Sequence, residues 1–240
     1  MKAAPVLRYL PWILRDAAVR PGLAALVLAG LATFLATRLP PELSGNRVEL
    51  MSRFVGQFDW LVILIATTGL VSWDRTSGFY RTLFSYPVNP AFYYLVRWVT
   101  AGLIAALIVP LVGLGLLAVT GTFPFSGPLL VRFFLKYLLL GGLTFGFSTV
   151  IRADWAAAFV LSVVQPILHT METSGVALSS VTRAVARALP PFHVTGFSFS
   201  RSLGYPSTGD LVHVLLYGTG ILILTMLVLR YRQLGSGGRA

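Results

Sequence analysis

Tyr93-Tyr94-Leu95-Val96-Arg97-Trp98-Val99-Thr100-Ala101-Gly102-Leu103-Ile104-Ala105-Ala106-Leu107-Ile108-Val109-Pro110-Leu111-Val112-Gly113-Leu114-Gly115-Leu116-Leu117-Ala118-Val119 carries a single charge, Arg97, close to its start. A membrane-spanning helix needs ~20 predominantly apolar residues. This run exceeds that length, so it has room to tilt, or to kink at Pro110. Five further runs follow the same pattern on either side of it: Pro21 to Leu39, Asp59 to Trp73, Leu129 to Ile151, Trp155 to Met171, with Pro166 as a kink, and Leu211 to Leu229. The expectation is an all-α, polytopic integral membrane protein with six transmembrane helices.

Composition agrees. Of the residues, 56% are hydrophobic and 11% are charged. A soluble domain carries about 25% charged residues because its surface faces water. Cysteine is absent, which excludes disulfides, iron–sulfur clusters and thiolate metal sites. The net charge is +11, but no basic stripe interleaved with aromatics lies outside the apolar runs, so no nucleic-acid partner is expected. Arginines beside membrane helices instead meet lipid headgroups and set topology.

Residues 1–20 mix Val6, Leu7, Leu10, Trp12, Ile13 and Leu14 with Arg8, Arg15 and Arg20. That mixture suits an interfacial helix. It does not suit a cleaved signal peptide, which has a short basic region before its apolar run. With the N-terminus cytoplasmic and six spans, eleven of the nineteen Lys and Arg residues fall on the cytoplasmic side, so both termini are expected inside. Residues 21–234 form the transmembrane domain. Residues 151–155 are a short inner turn, 172–210 the longest outer segment, and 235–240 a Gly/Ser-rich tail expected to be disordered. Ser174 to Leu189 is read as a short amphipathic helix on the outer face.

The inner segment 74–90 carries the functional clue. Wound as a helix, Trp73 to Tyr86 places Phe79, Leu83 and Tyr86 on one stripe, and Pro87 stops it. Such a helix rests on lipid or fits a groove on a soluble partner.

Here the chain resembles the ABC-2 type permeases, the membrane subunits of many ABC exporters. Their inner segment has an acid and a base, then Gly-Thr-Leu-Glu, then apolar residues, then Pro-Val-Ser. Asp74 and Arg75 precede Gly78; Leu83 and Phe84 lie in the apolar stretch; Pro87, Val88 and Asn89 follow. Arg81 departs from the family's Glu, which removes any salt bridge carried over at that position. The resemblance covers nearly the whole plan, from the interfacial N-terminal helix to the basic tail at Arg230 and Arg232. It implies that Gly78 to Tyr86 is a coupling helix docking on an ABC-type ATPase subunit. Arg152 and Asp154 in the inner turn, together with the N-terminal helix, would make further contacts. It also implies a bacterial inner-membrane location and a second permease subunit, identical or related, completing a twelve-helix pore.

No G-x-x-x-x-G-K-[ST] loop occurs in the sequence, so ATP and Mg are expected on the partner chain and no cofactor on this one. No metal-ligand spacing and no G-x-S-x-G elbow occurs, so the chain is read as a transport subunit and not as an enzyme. Gln165, His169 and Glu172 share a face near the outer end of the fifth run. They read either as a polar lining of the transport path or as a satisfied interfacial cluster. Arg132 and Lys136 read as snorkelling cations. Gly142 and Gly146 form a G-x-x-x-G pair for close helix packing. The rival expectation is a non-transport accessory or assembly subunit of a larger membrane complex.

Overall fold

The computed structural model describes residues 9–38, 47–79, 89–121, 127–195 and 207–236, with backbone alone for 47–49, 51–53, 55, 57, 195 and 232–236. Every regular element among them is helical. The N-terminal helix and the first apolar run prove to be one continuous rod, Leu10–Arg38. It consists of α1 (Leu10–Ala17), a π-helical turn (Ala18–Gly22) and α2 (Leu23–Arg38). Pro21 has no N–H to give the carbonyl of Ala17, and its ring crowds that carbonyl. Widening one turn to π geometry relieves the clash without ending the helix. The boundary expected at residue 20 is therefore a bulge.

The longest run divides into α5 (Pro90–Ala105) and α6 (Ile108–Thr120), after α3 (Arg47–Thr67) and α4 (Ser72–Thr76). The break falls before Pro110, at Ala106 and Leu107, because proline disrupts the turn N-terminal to itself. The Ala106 carbonyl, deprived of the Pro110 donor, accepts a tighter bond from the Val109 N–H at 3.2 Å. The fourth run is α7 (Gly127–Lys136), a second π turn (Tyr137–Gly141) and α8 (Gly142–Ser148). Then come α9 (Asp154–Thr173), α10 (Ser180–Ala188), α11 (Phe192–Thr195) and α12 (Thr208–Ser236). Pro166 lies inside α9.

Among the described residues, four rods are long and apolar enough to cross a membrane: Leu10–Arg38, Pro90–Thr120, Gly127–Ser148 and Thr208–Tyr231. The other two long helices, α3 with 21 residues and α9 with 20, reach ~30 Å. Arg47, Glu49, Arg53 and Asp59 dilute the first, and Asp154, Gln165, His169 and Glu172 the second.

The rods lie side by side. Gly115 of α6 meets Thr33 of α2 directly, with no room for a Cβ. Trp98, Tyr137 and Phe145 form an aromatic centre in which the Tyr137 hydroxyl donates to the Trp98 carbonyl at 2.6 Å. α1, α4, the start of α5, the 149–153 turn and the last turns of α12 gather at one end of the bundle, termed here the termini end. The start of α7, the segment 174–195 and the start of α12 lie at the opposite end. Large apolar side chains cover the outside, among them Leu26, Leu103, Val160, Ile167 and Leu216. In a soluble protein such a surface would drive aggregation.

Four expectations about local structure are corrected. The second run's helix spans Arg47–Thr67, and residues 68–71 turn before α4. The helix expected from Trp73 to Tyr86 is interrupted: α4 ends at Thr76, Gly78 takes φ +79°, a left-handed backbone that glycine tolerates and a helix interior does not, and Phe79 is helical again, while residues 80–86 lie outside the described residues. The outer helix begins at Ser180 and not at Ser174, where the Ser179 hydroxyl accepts from the Thr182 N–H at 3.1 Å and caps it. The tail expected to be disordered from 235 is helical through Gly235 and Ser236, which continue α12, and 237–240 lie outside the described residues.

Candidate functional site: a charge network at the termini end

α5 carries Tyr93, Tyr94 and Arg97 along its first turns. Arg97, the one charge in the opening run, points inward and is 11% exposed. Its Nη1 donates to Asp74 Oδ2 at 2.7 Å and to the Leu70 carbonyl at 3.0 Å. Its Nη2 and Nε donate to Asp16 Oδ2 at 2.6 and 3.2 Å. The Tyr94 hydroxyl donates to Asp74 Oδ2 at 3.2 Å. One guanidinium fork thus joins α1, α4 and α5, a geometry suited to arginine and not to lysine. Arg20, one turn beyond Asp16, lies 3.6 Å from its carboxylate and covers the Trp73 ring at 4.1 Å.

A second set of bonds ties α4 to the turn before α9. Ser148 Oγ accepts the N–H groups of Val71 and Ser72, both at 2.9 Å. Arg75 Nη1 donates to the Thr149 carbonyl at 2.7 Å. Asp154 Oδ2 accepts from Gly69 N–H at 2.9 Å, and Asp154 Oδ1 from Trp155 N–H at 2.8 Å. Gly69 is required there. Its φ is +72°, and a Cβ would strike the Trp73 indole.

Burial pushes the Asp74 carboxyl above its ordinary 3.8, with the neighbouring Asp16 charge adding to the rise; Arg97 and the Tyr94 hydroxyl pull the other way. Among the described residues no group of His, Asp and Glu side chains is placed to hold a metal ion. The network contains no nucleophile paired with a base. What it does is mechanical: α1, α4, α5 and the 149–154 turn are bound as one body.

The structure places the expected coupling residues unevenly. Asp74 and Asp154 turn inward and hold the platform together, Asp154 fully buried, while Arg75 stays exposed and reaches the Thr149 carbonyl. Phe79, at 40% exposure, and Arg152 face outward, with Trp73, Val150 and Trp155 near them in the chain and also exposed. Gly78 forms the left-handed break between α4 and Phe79. Leu83, Phe84, Tyr86 and Pro87 lie outside the described residues. Asp16, Arg20, Arg97 and Ser148 were missed by the sequence reading. The usable signal was Arg97 itself, since a charge inside an apolar run needs a partner.

At the opposite end, Gln165, His169 and Glu172 come together, each engaged with the segment 180–195. Gln165 Nε2 lies 2.7 Å from His193 Nδ1, and its Oε1 accepts the His193 N–H at 3.0 Å. The His169 and His193 rings stack with centroids 3.7 Å apart. Glu172 Oε1 accepts from Arg187 Nη2 at 2.9 Å. These side chains fasten α10 and α11 onto α9.

Two other expected features also have partners. Lys136 is buried and does not snorkel: its Nζ donates to Asp59 Oδ1 at 2.5 Å and to the Gly56 carbonyl at 2.8 Å, joining α7 to α3. Asp59 sits where Lys136 reaches it sooner than the headgroups, and an ion pair in hydrocarbon is favoured over a lone ion. Gly142 and Gly146 face α12, where a Cβ would lie 3.7 Å from Ile221 Cγ2 and 3.0 Å from Thr225 Oγ1 respectively. No protein-family model, no curated protein and no solved structure matches this chain.

Proposed function

We propose that this chain is the permease subunit of an ATP-driven exporter, with all six long helices crossing the bilayer and both termini in the cytoplasm of a bacterial cell. The observation that carries this reading is the convergence of α1, α4, the start of α5 and the 149–154 turn on the Asp16–Arg97–Asp74 network. A soluble motor can do work on a membrane bundle only through a stiff surface continuous with the spanning helices. Arg97 lies on a spanning helix, and its two carboxylates lie on the two elements that flank it at the membrane face. A push on the segment around Phe79 would therefore reach α5 directly. A second copy, identical or related, would complete the pore, and separate ATPase chains would bind below. ATP and Mg would sit on those chains. Nucleotide-driven closure would then shift the balance of inward and outward states by differential binding.

One observation favours a second reading, a non-transport accessory or assembly subunit. The polar groups of α9 that would line a path are engaged in fastening α10 and α11. Gentle extraction from the native membrane followed by mass spectrometry separates the two. Export predicts a stoichiometric ABC-type ATPase that is lost from Phe79→Asp protein while the fold persists. Complexes free of any ATPase would overturn export and favour the accessory role.

A further inference from the structure

Between the start of α5 and the last turns of α12 lies a groove of about 750 Å³. Phe92, Leu95, Leu222, Ile223, Met226 and Leu227 make its apolar wall. Its polar edge is unequal. Thr219 stands at one limit, and Asn89 with Arg230 at the other, which is the termini end. Arg230 is exposed, and no ion pair or hydrogen bond engages it among the described residues. Among the described residues no carboxylate lines the groove.

The dimensions suit one kind of occupant. From Thr219 to Arg230 the helix rises ~16 Å. That is about half of the ~30 Å hydrocarbon core, the depth of one leaflet. Arg230 follows directly on the apolar end of α12, at the level where headgroup phosphates lie, with Tyr231 exposed beside it in the chain as interfacial aromatics are. A second protein copy would have to bury Arg230 against a groove that offers it no acid, which is costly.

We propose that this groove binds an anionic phospholipid, its phosphate on Arg230 and an acyl chain along Leu95, Leu222 and Met226. The site requires a bilayer and is independent of any ATPase. A lipid held there would join α12, which packs lightly on the bundle and leaves Leu216, Ile223 and Leu224 more than 60% exposed, to α5 and so to the charge network.

The test is native mass spectrometry of the full chain from nanodiscs of equal phosphatidylglycerol and phosphatidylcholine. Wild type should retain phosphatidylglycerol in preference. Arg230→Gln should cut that preference about fivefold, the worth of one interfacial cation. Arg152→Gln, an equal charge change at the same end but away from the groove, should leave it in place. Ile223→Trp, which fills the groove from an exposed position, should reduce retention of both lipids. An unchanged preference in Arg230→Gln would overturn the proposal. So would Ile223→Trp abolishing a dimer while lipid retention stays the same, which would assign the groove to a second copy.

Discussion

Arg97 shows how one side chain constrains a whole end of the bundle. Two carboxylates share its guanidinium, but their settings differ: Asp74 is 13% exposed at its side chain and Asp16 is 35% exposed. Arg97→Leu leaves both acids without their common partner and is expected to cost about 3–5 kcal/mol, the range for breaking a buried pair. Asp16→Asn should cost well under that, since water already screens the group. Asp74→Asn is the informative intermediate. Burial raises the Asp74 pKa, so the folded chain holds this proton more tightly than the unfolded chain does. The stabilisation is complete below the ordinary value of 3.8 and is lost as pH rises through the raised value. Thermal unfolding in detergent across acid pH should therefore show a downward slope with rising pH that Asp74→Asn removes. An unchanged slope would place the titration elsewhere.

At the scale of elements, the informative joints are polar. α3 and α7 meet through Lys136 and Asp59, both almost fully buried. Lys136→Met alone leaves a carboxylate in an apolar setting and should destabilise by about 3–5 kcal/mol. The double change Lys136→Met with Asp59→Leu should recover most of that loss, because a buried pair gains little over packed apolar groups. Unfolding midpoints of the two single variants and the double variant measure the coupling, and simple additivity would contradict it. The π turns belong to this scale as well. Pro21 explains the first of them. The second, at Tyr137–Gly141, contains no proline and follows directly on Lys136.

The molecule as a whole is a bundle whose first described helix and last helical turns share one end. The crossing of α9 decides the topology, since that helix, like α3, is not among the four rods apolar enough to cross on composition alone. The chain has no cysteine, so single-cysteine probes report without background. Arg152→Cys and Ser174→Cys flank α9 at its two ends. They should label from opposite sides of sealed vesicles with a membrane-impermeant maleimide. Labelling of both from one side would mean that α9 does not cross, and the bundle would then have to be redrawn around the four apolar rods.

The sequence by itself determined the solvent and the helices. Long apolar runs leave hydrocarbon as the environment, and a backbone in hydrocarbon must satisfy its own hydrogen bonds within each segment. It also marked Pro110 as a place to kink; the charge of Arg97 inside an apolar run was legible too, but its partners were not. The tertiary structure alone decided the partners. Asp16 and Arg97 are joined across 81 positions and Asp59 and Lys136 across 77, and no local periodicity encodes pairings at such range. The same reason explains why Gln165, His169 and Glu172 read from sequence either as a path or as a clasp. Their shared face was legible in the helical period, but what stood opposite that face was fixed only when residues 180–195 folded back upon it.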